Sequence, residues 1–326
     1  MKRALSLLIA CLLPALLAAC GQAPGTPGDD GRLKIVATDF PAYDFARAVG
    51  GEEADVSLLL PPGAESHSYE PTPRNIIDVQ NCGLFIYVGG ESDTWVDTIL
   101  ESLDRPVETL RMVDCVELLE EETIEGMTAH DHDHDHDGHD HDGGHGEGEV
   151  VEADEHVWTS PLNAAKIVER IGERAAALDP AKAAAYRENA AAYMARILAL
   201  DQEFRDFFDT VENKTLVFGD RFPLRYFAEE YGLACYAAFP GCSTQTEPSA
   251  ATIAFLTEKL RAEGLSTVYY IEFSNHLVAD SIAEAAGTGT ALFHSCHNVS
   301  QADLDSGVTY VSLMVRNLET LRETMA

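Results

Sequence analysis

Positive charge is scarce in this chain: 22 lysines and arginines stand against 55 aspartates and glutamates, a net charge of −33 over 326 residues. Binding a polyanion relies on a basic footprint and counterion release, so a nucleic-acid partner is excluded. Long apolar runs are absent after the first twenty residues, which excludes a multi-spanning membrane protein. The His-Glu-x-x-His signature of zinc hydrolases is missing too. The apolar fraction, 46%, is nevertheless that of an ordinary globular chain, so the acidity does not mean global disorder. The length fits two domains around separate cores more naturally than one.

Residues 1–20 read as an export signal. Lys2 and Arg3 form a positive start, and the apolar stretch 4–17, broken by Pro14, is short for a membrane span. The segment ends in Leu17-Ala18-Ala19-Cys20-Gly21, which resembles the lipobox of bacterial lipoproteins and implies lipidation at Cys20. Residues 21–31, rich in Pro and Gly, read as a flexible tether. Five cysteines then remain: Cys82, Cys115, Cys235, Cys242 and Cys296. Export permits disulfides, and an odd count leaves at least one thiol unpaired or coordinating something. Grouping by halves favours Cys82 with Cys115 and Cys242 with Cys296; buried free thiols are the alternative.

Strand and helix signals alternate in both halves. Residues 32–38, 54–60, 83–88 and 107–112 read as strands of the first, with helical stretches between them. Residues 215–218, 233–239, 266–273 and 290–293 read as strands of the second, and a helix over about 306–323 closes the chain. Such alternation predicts an α/β fold of two lobes (32–180 and 212–326), each a mainly parallel sheet flanked by helices. Between the lobes, residues 181–211 carry Tyr186, Tyr193, Ile197, Leu200, Phe204 and Phe208 at spacings of 7, 4, 3, 4 and 4, one face of a helix. At 1.5 Å per residue the stretch would reach roughly 45 Å, a rigid spine joining the lobes.

Seven of the 12 histidines and six aspartates crowd into residues 129–146. Such a tract cannot bury a core, and its imidazoles and carboxylates suit divalent metals such as Zn²⁺, Ni²⁺ and Cu²⁺. Its alternation fixes no geometry, so it predicts weak, exchangeable sites rather than the tight one; an inert solvating repeat is the bland alternative. The other histidines are His67, His156, His276, His294 and His297. His67 follows the strand at 54–60, His156 precedes a helix opening at Pro161, and His294 ends the last strand. Ligand sites of open α/β sheets form beyond the carboxyl ends of strands, where these positions fall. Glu272 ends a strand near the cleft, as a partner for a histidine or simply solvated. His276 reads as a helix-surface residue.

These residues carry a family resemblance. The segments 63–73 (GAESHSYEPTP), 154–161 (DEHVWTSP), 226–233 (YFAEEYGL), 246–249 (TEPS) and 317–321 (NLETL), with the acidic histidine tract and the spine, resemble the zinc-uptake ABC-transporter solute-binding lipoproteins, whose close relatives bind manganese. The likeness covers about residues 33–324. It implies a metal site in the interlobe cleft, with ligand histidines at His67 and His156. The family's third ligand, a His or Glu on the first strand of the second half, falls here in Gly219-Asp220-Arg221. The fourth, an Asp in an Asp-Pro-Leu motif, is replaced by His294-Ser295-Cys296-His297. The expected ligands are therefore His67, His156 and His294, with water, Asp220 or His297 completing four, and Cys242 and Cys296 close enough to act as ligands or as a disulfide. Asp220 is equally explained by pairing with Arg221 or Arg225. An imidazole-rich set favours zinc over manganese.

The resemblance further implies a non-catalytic receptor on the extracytoplasmic face of the cell envelope. It would be a lipid-anchored monomer that carries Zn²⁺ as transported ligand to an ABC permease and its ATPase subunit. A secreted zinc hydrolase, for which Glu65, Glu155 and Glu272 offer bases, and a metal buffer or adhesin are the competing readings.

Overall fold

The computed structural model describes residues 31–66, 68–121, 153–241 and 247–325. The signal segment with Cys20, His67, the tract at 129–146 and Cys242 thus lie outside the described residues. No helix among the described residues is long and apolar enough to cross a membrane.

In the first half β1 (Leu33–Ala37), β2 (Ala54–Leu58), β3 (Leu84–Tyr87) and β4 (Thr109–Arg111) form a parallel sheet in the order β2-β1-β3-β4. Helices α1 (Phe40–Gly50), α2 (Pro73–Gln80) and α3 (Thr94–Glu101) connect them, and α4 (Pro161–Leu178) follows. Alternation along β1 separates two apolar layers: Ile35 and Ala37 face the main core, while Val36 faces a smaller cluster with Val79, Phe85 and Trp95. Cys82 packs in that smaller cluster, whereas Cys115 packs against the main core on the other face. The expected Cys82–Cys115 bridge is accordingly not formed, and both are free thiols. Burial pushes Cys82 up to about 12 and Cys115 up to about 11.

The second half repeats the plan. After α5 (Ala183–Phe208) come β5 (Thr215–Phe222), α6 (Arg225–Tyr231), β6 (Ala234–Pro240), α7 (Ala250–Glu263), β7 (Thr267–Tyr270), α8 (Leu277–Ala286) and β8 (Gly289–Leu292). The parallel sheet has the order β6-β5-β7-β8. The closing segment is two helices, α9 (Gln301–Asp305) and α10 (Tyr310–Thr324), because Thr309 caps the second with a capping box. Strand β5 outruns its expected end at 218, with a register shift between Phe218 and Arg221. Gly219 sits in that irregularity for a steric reason: a Cβ there would lie 2.4 Å from the Ala279 backbone of α8.

Helix α5, 26 residues and so about 39 Å long, lies between the two sheets in the chain. Tyr186, Tyr193, Ile197, Leu200, Phe204 and Phe208 are all buried on it. They join one continuous core with Phe45 and Trp158 on one side and Phe227, Phe293 and Tyr310 on the other. The two sheets therefore share apolar packing through this helix.

Candidate metal centre

Four short segments converge beyond the carboxyl ends of the strands. The first is the loop after β2, which keeps pairing with β1 through Leu59 N–H to Ala37 O at 2.8 Å and Leu60 N–H to Thr38 O at 3.0 Å. Its far end is anchored by the motif residues: the Tyr69 hydroxyl donates to Leu59 O at 3.3 Å and to Asn75 Oδ1 at 3.0 Å, and its ring meets Trp95 edge-on. Thr72 and Asn75 form a capping box with Pro73 in the first turn of α2. Tyr69 and Pro73 of the motif thus have a structural role. They fix both ends of the loop that contains position 67.

The second segment holds His156, which is 2% exposed. Asp154 Oδ1 accepts the backbone N–H of His156 at 2.8 Å and stands 3.2 Å from its Nδ1. The carboxylate orients the ring and leaves Nε2 for another partner. Burial pulls the His156 ring down, but the Asp154 charge and hydrogen bond outweigh it, so the net shift is upward. The turn is held from the second half as well, because the Tyr226 hydroxyl donates to Asp154 O at 2.8 Å.

The third and fourth segments follow β7 and β8. Glu272, with its side chain 8% exposed, accepts from Ser295 N–H at 2.7 Å, Ser295 Oγ at 2.6 Å and His297 N–H at 3.2 Å. The loop 294–297 is wound around this one carboxylate, and Cys296 takes φ 64 to allow it. Burial pushes Glu272 up, but the nearby His294 and these hydrogen bonds more than offset it, leaving it below the usual range. Asn317 of α10 clamps the start of the loop through both amide atoms to His294, each at 2.8 Å.

A cavity of about 200 Å³ lies between these segments, lined among others by Gly63, Ala64, Glu65, His156, Arg221, Glu272 and His297. The rings of His156 and His297 are 6.1 Å apart and nearly perpendicular. Burial, and next the charge of His156, lower His297 to about 4, so it is a neutral imidazole with a free electron pair at physiological pH.

The structure therefore sorts the residues expected from the sequence. His156 and His297 come together in the cavity, and the residues preceding His67 line it. His294 does not line it: its Nδ1 accepts the Cys296 N–H at 2.9 Å and lies 3.5 Å from Glu272. Asp220 is bound internally, with Oδ1 accepting Arg221 N–H at 2.8 Å and Oδ2 accepting Ile271 N–H at 3.2 Å across the strand irregularity. Cys296 is a wholly buried free thiol, its expected partner Cys242 lies outside the described residues, and burial raises it well above the usual thiol range. His276 is exposed and pairs with Asp280 at 2.8 Å. Among the described residues no three His, Cys, Asp or Glu side chains converge on one ion position. The sequence reading missed Arg221 and Asn298 in the cavity wall, and neither belongs to a ligand type that would have drawn attention.

Comparison with known proteins gives the same architecture. The chain is 34% identical over 324 residues to the zinc-binding lipoprotein AdcA of Streptococcus pneumoniae, covering 98% of this chain and 60% of that protein. It thus spans about three fifths of that relative's length. It is 32% identical to the high-affinity zinc uptake system protein ZnuA of Bacillus subtilis, covering 98% of this chain and 97% of that one. The Zn(II)-bound ZnuA-like domain of S. pneumoniae AdcA superposes with a TM-score of 0.71 at 30% identity, covering 90% of this chain and 99% of the domain. The laminin-binding protein Lmb of Streptococcus agalactiae shares the fold at 21% identity and a TM-score of 0.73, covering 90% of this chain and all of that one. Residues 35–324 match the family described as zinc-uptake complex component A, periplasmic, and the chain belongs to that family.

Proposed function

We propose that this protein is an extracytoplasmic receptor that captures Zn²⁺ between its two halves and delivers it to an ABC permease driven by its ATPase subunit. The observation that carries the reading is the meeting of His156 and His297 in one cavity, one ring oriented by a carboxylate and the other held neutral. Two imidazoles from opposite halves suit zinc and join the halves through the ion. We assign His67 as the third ligand, from its place in the loop whose residues 63–65 line the cavity. His297 replaces His294 in the ligand set, and Glu272 holds its backbone in place. Water or a carboxylate oxygen completes the coordination.

Catalysis is disfavoured by the commitments of two of the three carboxylates considered as bases. Glu272 accepts three hydrogen bonds from Ser295 and His297, and Glu65 is paired with Arg221. A hydrolase needs a placed base free to take a proton. The acidic histidine tract would collect ions beside the cleft, and lipidated Cys20 would hold the receptor at the outer face of the membrane as a monomer.

The test is zinc titration of the purified chain together with uptake in cells lacking their own zinc receptor. One tight zinc site and restored permease-dependent uptake are expected. Tight binding without uptake in cells that hold a functional permease would reduce the protein to a buffer.

A further inference from the structure

The two halves grip each other across the cleft by contacts that involve no metal ligand. Arg221, at the end of β5, donates from Nη1 and Nη2 to Glu65 Oε2, each at 3.1 Å. Asn298 donates from one amide nitrogen to Pro61 O at 3.0 Å and Ala64 O at 2.9 Å. Its own Oδ1 accepts the Val299 N–H at 2.7 Å, which fixes the amide's orientation, and the residue is 4% exposed. Phe273, bent to φ 60, places its ring beside Gly63. All four partners on the first half, Pro61, Gly63, Ala64 and Glu65, belong to the short loop that leads into position 67.

We propose that Arg221 and Asn298 are positioning residues that clamp this loop onto the second half and so set how fast zinc leaves the cleft. The inference rests on the zinc-receptor reading but adds to it a link between the halves made by side chains that are not metal ligands. Arg221 stands at the end of the same strand as Asp220, which is turned into the sheet and cannot bridge the cleft. The arginine reaches across instead and secures the loop through Glu65. The amide of Asn298 satisfies two loop carbonyls that a cleft opening to water would otherwise have to rehydrate.

The experiment measures zinc loss from the full chain to excess chelator by stopped flow, following the slowest phase. The Arg221–Glu65 pair is partly exposed, at 28% and 44%. Arg221→Gln and Glu65→Gln should therefore each speed that phase by about two- to fivefold at low salt, the double substitution no more than either alone. Arg221→Lys should restore part of the effect. High salt should speed release from the wild type and leave the Gln variants unmoved. Asn298→Ala should speed release by about tenfold. Amide hydrogen exchange of residues 61–66 in metal-free protein gives a second readout, expected to be faster in Arg221→Gln and Glu65→Gln than in the wild type. Additive or absent effects of the two Gln substitutions on release, or exchange in this loop that they leave unchanged, overturn the clamp. A wild-type chain with no slow phase overturns the zinc reading, and the exchange measurement still decides the clamp.

Discussion

The indole Nε1 of Trp158 donates to the carbonyl of Ser295 at 2.9 Å, tying the turn that carries His156 to the loop that carries His297. The Trp158 ring also lies 5.4 Å from that of His297, and its own carbonyl accepts the Tyr310 hydroxyl at 2.9 Å. A wholly buried side chain thus fixes the relation of two imidazoles that come from opposite halves of the chain. Trp158→Phe removes this bond and leaves the Ser295 carbonyl unpaired. It should lower stability by about 2 kcal/mol and weaken zinc binding by several-fold. Thermal unfolding and chelator competition measure both; unchanged zinc affinity in a folded variant would show that the tie does not matter to the site.

His294 and His297 are separated by their expected phenotypes. His297→Ala should weaken zinc by at least an order of magnitude, about 1.4 kcal/mol per decade, with little change in melting temperature. His294→Ala should act mainly on folding, since its ring accepts the Cys296 N–H inside the loop. His276→Ala, on an exposed helix start, should change neither. The reverse order for the first two would restore His294 as the ligand.

The pH dependence follows from the different environments of the two rings. His156 has its proton affinity raised by Asp154, so in metal-free protein it is protonated below a pKa above the usual 6.5. Zinc requires the neutral ring, so affinity should fall as pH drops through that range. His297, lowered to about 4, stays neutral throughout and contributes no proton there. The described pair should thus take up about one proton per zinc released between about pH 5 and 7. Asp154→Asn should shift the fall to lower pH, and an unshifted profile in chelator competition would reject the role given to Asp154.

A buried acidic group near the site gives a stability prediction. Asp93 is 5% exposed and accepts Val88 N–H at 2.6 Å and Gly89 N–H at 3.2 Å. Burial, opposed by these bonds and reinforced by the charge of Glu155, raises it to about 7. The folded state therefore holds a proton that the unfolded chain gives up near pH 4. The stabilisation is complete below that point and lost as pH rises through about 7. Asp93→Asn keeps an acceptor for both amides and should raise the melting temperature at pH 8 by a few degrees while flattening the profile between about pH 4 and 7. A lower melting temperature at pH 8 would contradict this account.

Deleting residues 129–146 should lower the number of zinc ions bound per chain and leave one tight site. The tract supplies ligands without geometry, whereas His156 and His297 are fixed by buried partners. Calorimetric titration checks this, and loss of the tight site with the tract would place that site in it.

The alternation of strands and helices and the apolar face of α5 were legible in the sequence, because they depend on period and on local turn chemistry. Motifs also singled out the loop at 63–73 and the turn at 154–158, and the fold brings Gly63, Ala64, Glu65 and His156 to one cavity. Which histidine of His294-Ser295-Cys296-His297 faces the cavity was not legible. Both lie in one short loop, and their directions depend on Glu272, 23 positions before Ser295 and 25 before His297, and on Asn317 of the last helix. Cysteine pairing failed for a related reason, since Cys82 and Cys115 pack on opposite faces of one sheet. Period and composition act along the chain, so sequence carries them; the aim of a side chain in an irregular loop is set by distant hydrogen-bond partners, which only the folded structure brings together.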